Sequence, residues 1–542
     1  MTLSTRWLLA VAVVTIALGI VFRVEHIERR LFWQDETYTA LRVSGHTDPE
    51  FRTIFDSAVH QKSDVDRFQQ FDPSLSVAGT VGGLATEEPQ HAPLFYVLDH
   101  FWASIFGSSI PSLRALALLF GLLAIVTAYF FCIELTGSRE AGLVVVSLLA
   151  VSPFFVNYAG QAREYTLWAA MISLTSWLLL RAVRLENATA WLLYTLATAV
   201  ALYSDLLMIF VVAAHVLWVA ITYFRERGVL ARFAVSVAAA ALLFSPWLVV
   251  CATHASRIAL EQKWGFDPYP LRLMIEKWAF NSASVLFDGE YARTQLMVFA
   301  AASLLLIAVA AVYVMRTEKP ATRLFLIMLG GVIAVQQIGT DILTHGHEST
   351  TARYLVPLWL AALLVVATFL GRRLAVEPSR ISTGWFAALL IVLAVAGTSS
   401  AMNSSAVVWW DNNDNNPSTT IAADINASGP TPLVVSEGHW AEVLVMSHYL
   451  RSGTHFVLFK HTPPLPLPHS LDAFLLTPSA RTLADFRTQH EYELVPVPVA
   501  PLASSSVLSF HQAVQKAQSV LQNRVTWQQS YLFRLENRVA RR

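Results

Sequence analysis

Apolar runs of helical length recur along the chain up to about residue 399 and are separated by short polar connectors. A transmembrane helix needs about 20 apolar residues to cross the hydrocarbon core of a bilayer. Runs of this kind begin near Trp7, Leu113, Glu140, Tyr165, Trp191, Leu206, Phe233, Thr294, Arg323, Tyr354 and Ile381. The pattern therefore predicts a polytopic α-helical membrane protein with about eleven spans in residues 1–399.

Arginine and lysine concentrate in alternate connectors, for example at Arg139, Arg184 and Arg372. Because such residues are retained on the cytoplasmic side, the N-terminus is predicted to be cytoplasmic and the chain after residue 398 extracytoplasmic. Residues 23–112 and 254–293 then form two external loops. The apolar stretch 92–106 is short and contains charged residues, so we expect an amphipathic helix on the outer membrane surface.

Beyond residue 399 the pattern changes to short strand-like runs that alternate with helical segments. This alternation predicts a small extracytoplasmic α/β domain in residues 400–542. The predicted strands are 432–436, 455–460, 473–477, 492–497 and 530–535. The predicted helices are 419–426, 440–450, 480–488 and 507–521.

Composition supports the membrane assignment and excludes other classes. The chain is 55% hydrophobic and 14% charged, with a mean hydropathy of +0.49, which is outside the range of soluble proteins of this size. Its 38 basic and 38 acidic residues balance, so no net field attracts nucleic acid. The two cysteines lie in apolar runs and form no disulfide framework.

Ionisable and aromatic residues collect in the connectors that this topology places outside. Such groups are costly to desolvate at a membrane boundary and usually line a site or pair with each other, so an outer cavity is predicted. An arginine in this cavity suits a phosphate. Two alternatives stay open: Arg163 forms a structural ion pair with Glu164, or Arg353 is a snorkelling side chain at a helix end. The cavity residues are Asp35, Glu36, His91, Arg163, Glu164, Tyr165, Asp205, Arg353 and Tyr354.

A divalent metal is an open question at this stage. Glu88 and His91 have the side-chain types of metal ligands and lie close together in the sequence. The run His345–Glu348 also contains such residue types, but its spacing does not match a zinc site. No cofactor is therefore assigned, and metal dependence stays open.

The order of the motifs resembles that of the GT-C glycosyltransferases, in the family 39 protein-mannosyltransferase-like and aminoarabinose-transferase-like group. The resemblance covers about residues 1–370. Its motifs are the acidic pair after the first span, His91-Ala92-Pro93-Leu94-Phe95-Tyr96, Phe106-Gly107, Leu113-Arg114-Ala115-Leu116, Ser152-Pro153-Phe154-Phe155, Gln161-Ala162-Arg163-Glu164-Tyr165 and Ala352-Arg353-Tyr354-Leu355-Val356-Pro357.

This resemblance implies a GT-C fold and transfer of a sugar from a polyprenyl-phosphate carrier to an acceptor outside the cytoplasm. It places Asp35 on the catalytic acidic position, with Glu36 beside it. The chain departs from the group at Ala92, where relatives often have proline, and at Asp205, where they often have histidine.

The same residue types suit this chemistry on independent grounds. A carboxylate such as Asp35 serves as general base for an acceptor hydroxyl, and Arg353, Arg163 and His91 stabilise the departing phosphate. We therefore expect an inverting transferase in a bacterial inner membrane, acting on a glycan, lipid or protein acceptor. A catalytically inactive scaffold that binds glycans, or a transporter of a lipid-linked sugar, stays open.

Overall fold

The structure is a computed structural model that describes residues 3–25, 27–289, 293–375, 380–407, 418–437, 440–463, 466–468, 472–488, 492–498 and 532–537. Most of the described chain is helical up to residue 404, and a mixed β-sheet follows. The helices of this first part are α1 (Leu3–Val24), α2 (Gln34–Val43), α3 (Asp48–Phe51), α4 (Lys62–Asp66), α5 (Val77–Glu87), α6 (Leu94–Phe106), α7 (Ile110–Thr136), α8 (Arg139–Val151), α9 (Pro153–Ala159), α10 (Tyr165–Leu185), α11 (Ala188–Leu202), α12 (Met208–Thr222), α13 (Arg227–Thr253), α14 (Ala255–Glu261), α15 (Leu271–Ser284), α16 (Arg293–Thr317), α17 (Pro320–Thr344), α18 (Val356–Leu374) and α19 (Arg380–Ser404).

All eleven apolar runs predicted to span the membrane contain helices, which confirms the helical membrane core. Eight of the described helices are long and apolar enough to cross a bilayer. The pair α8 and α9 meets the criterion together but bends by 58°, because Pro153 cannot continue the hydrogen-bond ladder of α8. Helices α11 and α12 have 15 residues each, or about 22 Å, and are shorter than expected.

The basic connectors lie together at one end of the helical bundle. Arg184 pairs with Glu134, Arg372 with Glu318, and Arg232 with Glu186. Each pair joins two connectors that the charge pattern places on the cytoplasmic side. This clustering agrees with a single topology, and the orientation itself stays a prediction.

The first external loop folds over the opposite end of the bundle through α2 to α6. Helix α6 matches the short helix predicted for 92–106, and it packs against α2, α5 and α7. His100 on its buried side has Nδ1 2.8 Å from the carbonyl oxygen of Val43 on α2. The second external loop contains α14, a 3-10 turn (Lys263–Phe266) and α15.

The C-terminal region is an α/β unit, as predicted. Its helices are α20 (Ser418–Ser428), α21 (Trp440–Ser447) and α22 (Ala480–Thr488). Its strands are β2 (Leu433–Glu437), β3 (His455–Phe459), β4 (Ala473–Leu476), β5 (Tyr492–Pro496) and β6 (Leu532–Asn537), so all five predicted strands are present. The helix predicted at 507–521 lies outside the described residues.

A sixth strand, β1 (Val59–Gln61), comes from the first external loop and was not predicted. The sheet order is β1-β3-β2-β4-β6-β5, with β2 parallel to β3 and β4 and the other pairs antiparallel. The register places Val59 opposite Val457. The first external loop therefore contributes an edge strand to the sheet of the C-terminal region. The two regions predicted on either side of residue 399 share one sheet and are not separate units.

Candidate active site

Five turns between helices meet at the end of the bundle covered by the first loop, and they carry the residues singled out in the sequence. These turns are the start of α2, the approaches to α6 and α10, the α11–α12 connection and a 3-10 turn (Ala352–Leu355) before α18. One backbone hydrogen bond ties two of these turns together, from the N–H of Leu94 to the carbonyl oxygen of Tyr203 at 3.0 Å. The predicted convergence is thus present in the fold.

Asp35 and Arg353 form the accessible part of this site. Asp35 lies in the first turn of α2, where a carboxylate is favoured by the helix dipole. Its Oδ2 is 3.4 Å from Nη2 of Arg353, and the side chains keep 21% and 13% of their surface. The Arg353 guanidinium also lies over the Trp33 ring, 5.3 Å from its centroid, and 5.9 Å from that of Tyr165.

Glu36 faces the opposite way and is completely enclosed. Its two oxygens accept from Nε and Nη2 of Arg114 at 2.7 and 2.6 Å. The backbone N–H of Ala162 donates to the same carboxylate at 2.8 Å. Because this side chain is 0% exposed, it presents no face to a substrate. Glu36 was predicted to be catalytic together with Asp35, but its side chain points away from the open site. It belongs instead to the framework, by which we mean the buried contacts that hold the first external loop on the helical bundle.

Arg114 is the framework residue that sequence reasoning missed. Besides Glu36, it donates to the carbonyl oxygens of Ile27, Arg30 and Leu31. It thereby fastens the chain between α1 and α2 to α7. A signal was present, since an arginine one turn inside an apolar span requires a buried counter-charge.

Arg163 is also largely enclosed, with 2% of its side chain exposed. Its Nη1 donates to the backbone oxygen of Asp35 and to Thr39 Oγ1, both at 3.2 Å. Its Nη2 donates to Glu164 at 3.2 Å. These contacts hold the turn that presents Asp35, so most of its donors serve the protein. The structural ion pair with Glu164, left open by the sequence, is present.

His91 and Glu164 extend the network beside Arg163. The His91 Nδ1 lies 3.0 Å from Glu164 Oε1, and the Tyr96 hydroxyl donates to Oε2 at 3.4 Å. Burial acts to raise the pKa of Glu164, but the Arg163 guanidinium and the His91 hydrogen bond outweigh it and lower the pKa to about 2. The carboxylate is therefore ionised at neutral pH.

Asp205 lies at the edge of this network, and its pKa is shifted in the opposite direction to that of Glu164. Burial, reinforced by the charge of Glu164, raises the pKa of Asp205 to about 7. Its Oδ1 accepts from the backbone N–H of Leu207 at 2.8 Å. Asp205 is thus a carboxyl group that titrates near neutral pH beside one that stays charged.

Trp33 adds a hydrogen-bond donor that was not among the residues selected from the sequence. Its indole N–H is buried and has no acceptor within the described residues. Buried donors are nearly always paired. An unpaired one beneath the Arg353 guanidinium is the arrangement expected where an anionic ligand binds.

The two weak metal candidates have protein partners instead. Glu88 accepts from Nε of Arg42 at 2.8 Å, and His91 contacts Glu164. Across the described ranges, no group of three or more histidine, cysteine, aspartate or glutamate side chains is arranged to hold a metal ion. Metal dependence stays an open question that an assay with a chelator can answer.

Comparison with known proteins gives this arrangement a family context. Residues 90–250 match the family model described as dolichyl-phosphate-mannose-protein mannosyltransferase. The structure is similar to that of ArnT from Cupriavidus metallidurans bound to undecaprenyl phosphate, with a TM-score of 0.53 and 13% identity, over 93% of this chain and 99% of ArnT. The chain has the GT-C fold.

The GT-C resemblance drawn from the order of the motifs is thereby confirmed. The apo structure of the same ArnT aligns with a TM-score of 0.51. The oligosaccharyltransferase of Archaeoglobus fulgidus also matches, with a TM-score of 0.49 and 13% identity over 83% of this chain, which spans 64% of that enzyme. A sequence comparison with curated proteins gives no match. The matched segment of this GT-C chain includes His91, Arg163 and Asp205 but neither Asp35 nor Arg353.

Proposed function

We propose that this protein is an inverting glycosyltransferase that moves a sugar from a polyprenyl-phosphate carrier to an extracytoplasmic glycan, lipid or protein acceptor. The observation that carries the proposal is the Asp35–Arg353 pair, the partly open contact of a base with a cation in an otherwise closed polar network. The GT-C fold and the undecaprenyl phosphate bound to ArnT support a lipid-linked donor. We place the protein in a bacterial inner membrane, and the distribution of lysine and arginine supports an orientation with this face outside.

The proposed reaction needs a base and a cation at one place. The acceptor oxygen attacks the anomeric carbon while Asp35 takes its proton. The bond from that carbon to the phosphate oxygen breaks, and its electron pair leaves with the polyprenyl phosphate. Arg353 stabilises the negative charge that develops on this leaving group. Attack on the face opposite the phosphate inverts the anomeric centre.

The 3.4 Å contact suggests how the two groups are kept ready. A donor phosphate offers Arg353 several oxygens and can bind the guanidinium in a bidentate manner. The phosphate would therefore compete with Asp35 for Arg353 and release the carboxylate toward the acceptor. The unpaired indole N–H of Trp33 supplies a second donor for the same anion.

The enclosed residues act through position in this scheme. Arg163 holds the turn of Asp35, and Glu164 with His91 fixes Arg163 in place. Tyr165 lies against both guanidinium groups, 5.8 Å from Arg163 and 5.9 Å from Arg353. We therefore assign the donor phosphate to Arg353 first and keep Arg163 and His91 as positioning residues.

The test compares the purified wild-type protein with Asp35→Asn on a panel of radiolabelled polyprenyl-phosphate sugars and a cell-envelope extract. We expect transfer by the wild type and a loss of about 10²- to 10⁴-fold in the variant. Glu186→Gln, an exposed carboxylate at the opposite end of the helical bundle, is the matched control. Each assay is run with and without a chelator, which tests the metal requirement separately.

Three results would contradict the proposal. Full turnover by Asp35→Asn removes the base assignment. Retention of the anomeric configuration in the product removes the direct displacement. Movement of intact lipid-linked sugar across a vesicle membrane without transfer indicates a transporter.

A further inference from the structure

A rigid corner adjoins the site on the side of the second external loop. It is built from residues 263–269 and 345–350, which we call the outer corner. The backbone N–H of His347 donates to the carbonyl oxygen of Gly265 at 2.7 Å and joins the two segments. The buried carboxylate of Asp341 accepts from two successive backbone N–H groups of the second segment, at 3.0 and 2.6 Å. The backbone of the corner is thus fixed before any ligand arrives.

Glu348 projects from this corner without a partner of its own. Its carboxylate makes no hydrogen bond or ion pair with the described residues. Burial, with the nearby charge of Asp341, raises its pKa to about 7. A half-buried carboxylate loses hydration that nothing in the protein replaces, and such groups are uncommon unless they serve a ligand.

Gly265 makes room for this carboxylate. A Cβ atom at that position would lie 2.2 Å from Cγ of Glu348. Any other residue would therefore displace either the carboxylate or the loop. The close approach fixes where the carboxylate points and argues against an accidental surface acid.

An aromatic face stands beside the carboxylate. Trp264 keeps 38% of its surface exposed, and its ring centroid is 5.5 Å from that of His347 and 6.4 Å from that of Tyr354. Tyr354 in turn lies against Arg353, whose guanidinium carbon is 5.5 Å from the tyrosine ring. The corner is therefore continuous with the residue assigned to the donor phosphate.

Together these groups have the chemistry that recognises a sugar ring. A carboxylate accepts hydrogen bonds from hydroxyl groups, and an indole face covers the apolar side of the ring. We propose that Glu348 and Trp264 bind the sugar of the lipid-linked donor and determine which sugar is accepted. The donor is favoured over the acceptor because its sugar is bonded to the phosphate that Arg353 holds. This inference rests on the proposed function.

The experiment separates binding of the sugar from binding of the phosphate. Dissociation constants are measured for full-length protein in nanodiscs at pH 8, where the Glu348 carboxylate is mostly ionised. The ligands are undecaprenyl phosphate alone and a panel of undecaprenyl-phosphate sugars. We expect Glu348→Gln to bind the sugar-free lipid within twofold of wild type and the preferred sugar-bearing lipid about tenfold more weakly.

Two further variants complete the design. Trp264→Leu should show the same selective loss, and Glu186→Gln, at the opposite end of the helical bundle, should show none. The ratio of the two dissociation constants in each variant is independent of the fraction of folded protein, so partial misfolding does not imitate the result.

The other outcomes overturn the inference. Equal weakening of both ligands would assign Glu348 to the phosphate or to the framework. Unchanged donor binding with a raised Michaelis constant for the acceptor would assign the corner to the acceptor. A wild-type protein that binds neither lipid would refute the proposed function itself, a result distinct from the loss of selectivity.

Discussion

Asp35 and Glu36 are neighbours in the chain, yet their surroundings differ completely. Successive residues of a helix point about 100° apart, so the first turn of α2 directs one carboxylate to the open site and the other into the framework. Asp35 contacts one cation at 3.4 Å and keeps a fifth of its surface. Glu36 has both oxygens bound and no exposed surface.

This difference shows that an adjacent acidic pair need not be a pair in function. Removing one partner of a buried ion pair is severely destabilising, because the other charge is left buried without a counter-charge. A partly exposed ion pair contributes little to stability and can exchange its partner for a ligand. The buried contact holds the loop, and the open one is available for chemistry.

Breaking the buried contact should give the largest effect. Glu36→Gln leaves the enclosed Arg114 guanidinium without a counter-charge, at a cost of about 3–5 kcal/mol. We expect most of the protein to be lost as aggregate during extraction, with a lower unfolding temperature for the remainder. Thermal unfolding in detergent and size-exclusion profiles measure this.

The equivalent change at the neighbouring residue is the control. Asp35→Asn alters a longer contact between two partly accessible side chains and should lower the unfolding temperature much less than Glu36→Gln does. If instead Glu36→Gln folded normally and lost turnover as strongly as Asp35→Asn, the contrast between the two carboxylates would be wrong.

Much of this arrangement could be predicted from local sequence patterns. Apolar length gave the helices, alternating patterns gave all five predicted strands, and the arginine distribution placed Asp35, Arg163 and Arg353 at the same end. Each of these patterns depends on residues that are close in the sequence, so a single sequence is sufficient to detect them. The order of the motifs along the chain predicted the GT-C fold.

Other features depend on contacts between distant segments and have no local signature. Strand β1 has three residues and pairs with β3 near residue 456. A segment this short shows no alternating pattern from which a strand could be predicted. The direction of Glu36 depends on Arg114 on another helix. Glu348 was visible only as part of a possible metal motif, because its lack of a partner and its contact with Gly265 exist only in three dimensions.

The two arginines of the site offer a sharper form of the same contrast. Arg353→Lys keeps the charge but loses the planar fork that suits a phosphate. We expect the apparent Michaelis constant for the lipid-linked donor to rise about tenfold, with little change in unfolding temperature. Steady-state kinetics at varied donor concentration provide the measurement.

Arg163→Lys is the matched variant on the enclosed side. It should lower the unfolding temperature, since Thr39 and the backbone of Asp35 lose their donor, while the donor Michaelis constant changes less than in Arg353→Lys. The reverse pattern would make Arg163 the phosphate ligand and Arg353 the positioning residue.

The smallest expected effect concerns Asp205, at the edge of the network of His91, Arg163 and Glu164. Burial, with the charge of Glu164, raises its pKa from 3.8 to about 7 in the folded protein. Between these values the folded state holds a proton that the unfolded state has released. The stability that this carboxyl contributes is therefore full below about pH 4, falls as pH rises toward 7, and is constant above that.

Asp205→Asn removes this dependence while its amide oxygen can still accept from Leu207. The unfolding temperature of the variant minus that of wild type should increase from pH 4 to 7 and then level off. Glu164 does not interfere above about pH 5, because its contribution changes only between its folded pKa of about 2 and its ordinary value of 4.5. Parallel curves for the two proteins over pH 5 to 8 would show that Asp205 is ionised throughout. Asp205 would then stay charged beside the charged Glu164.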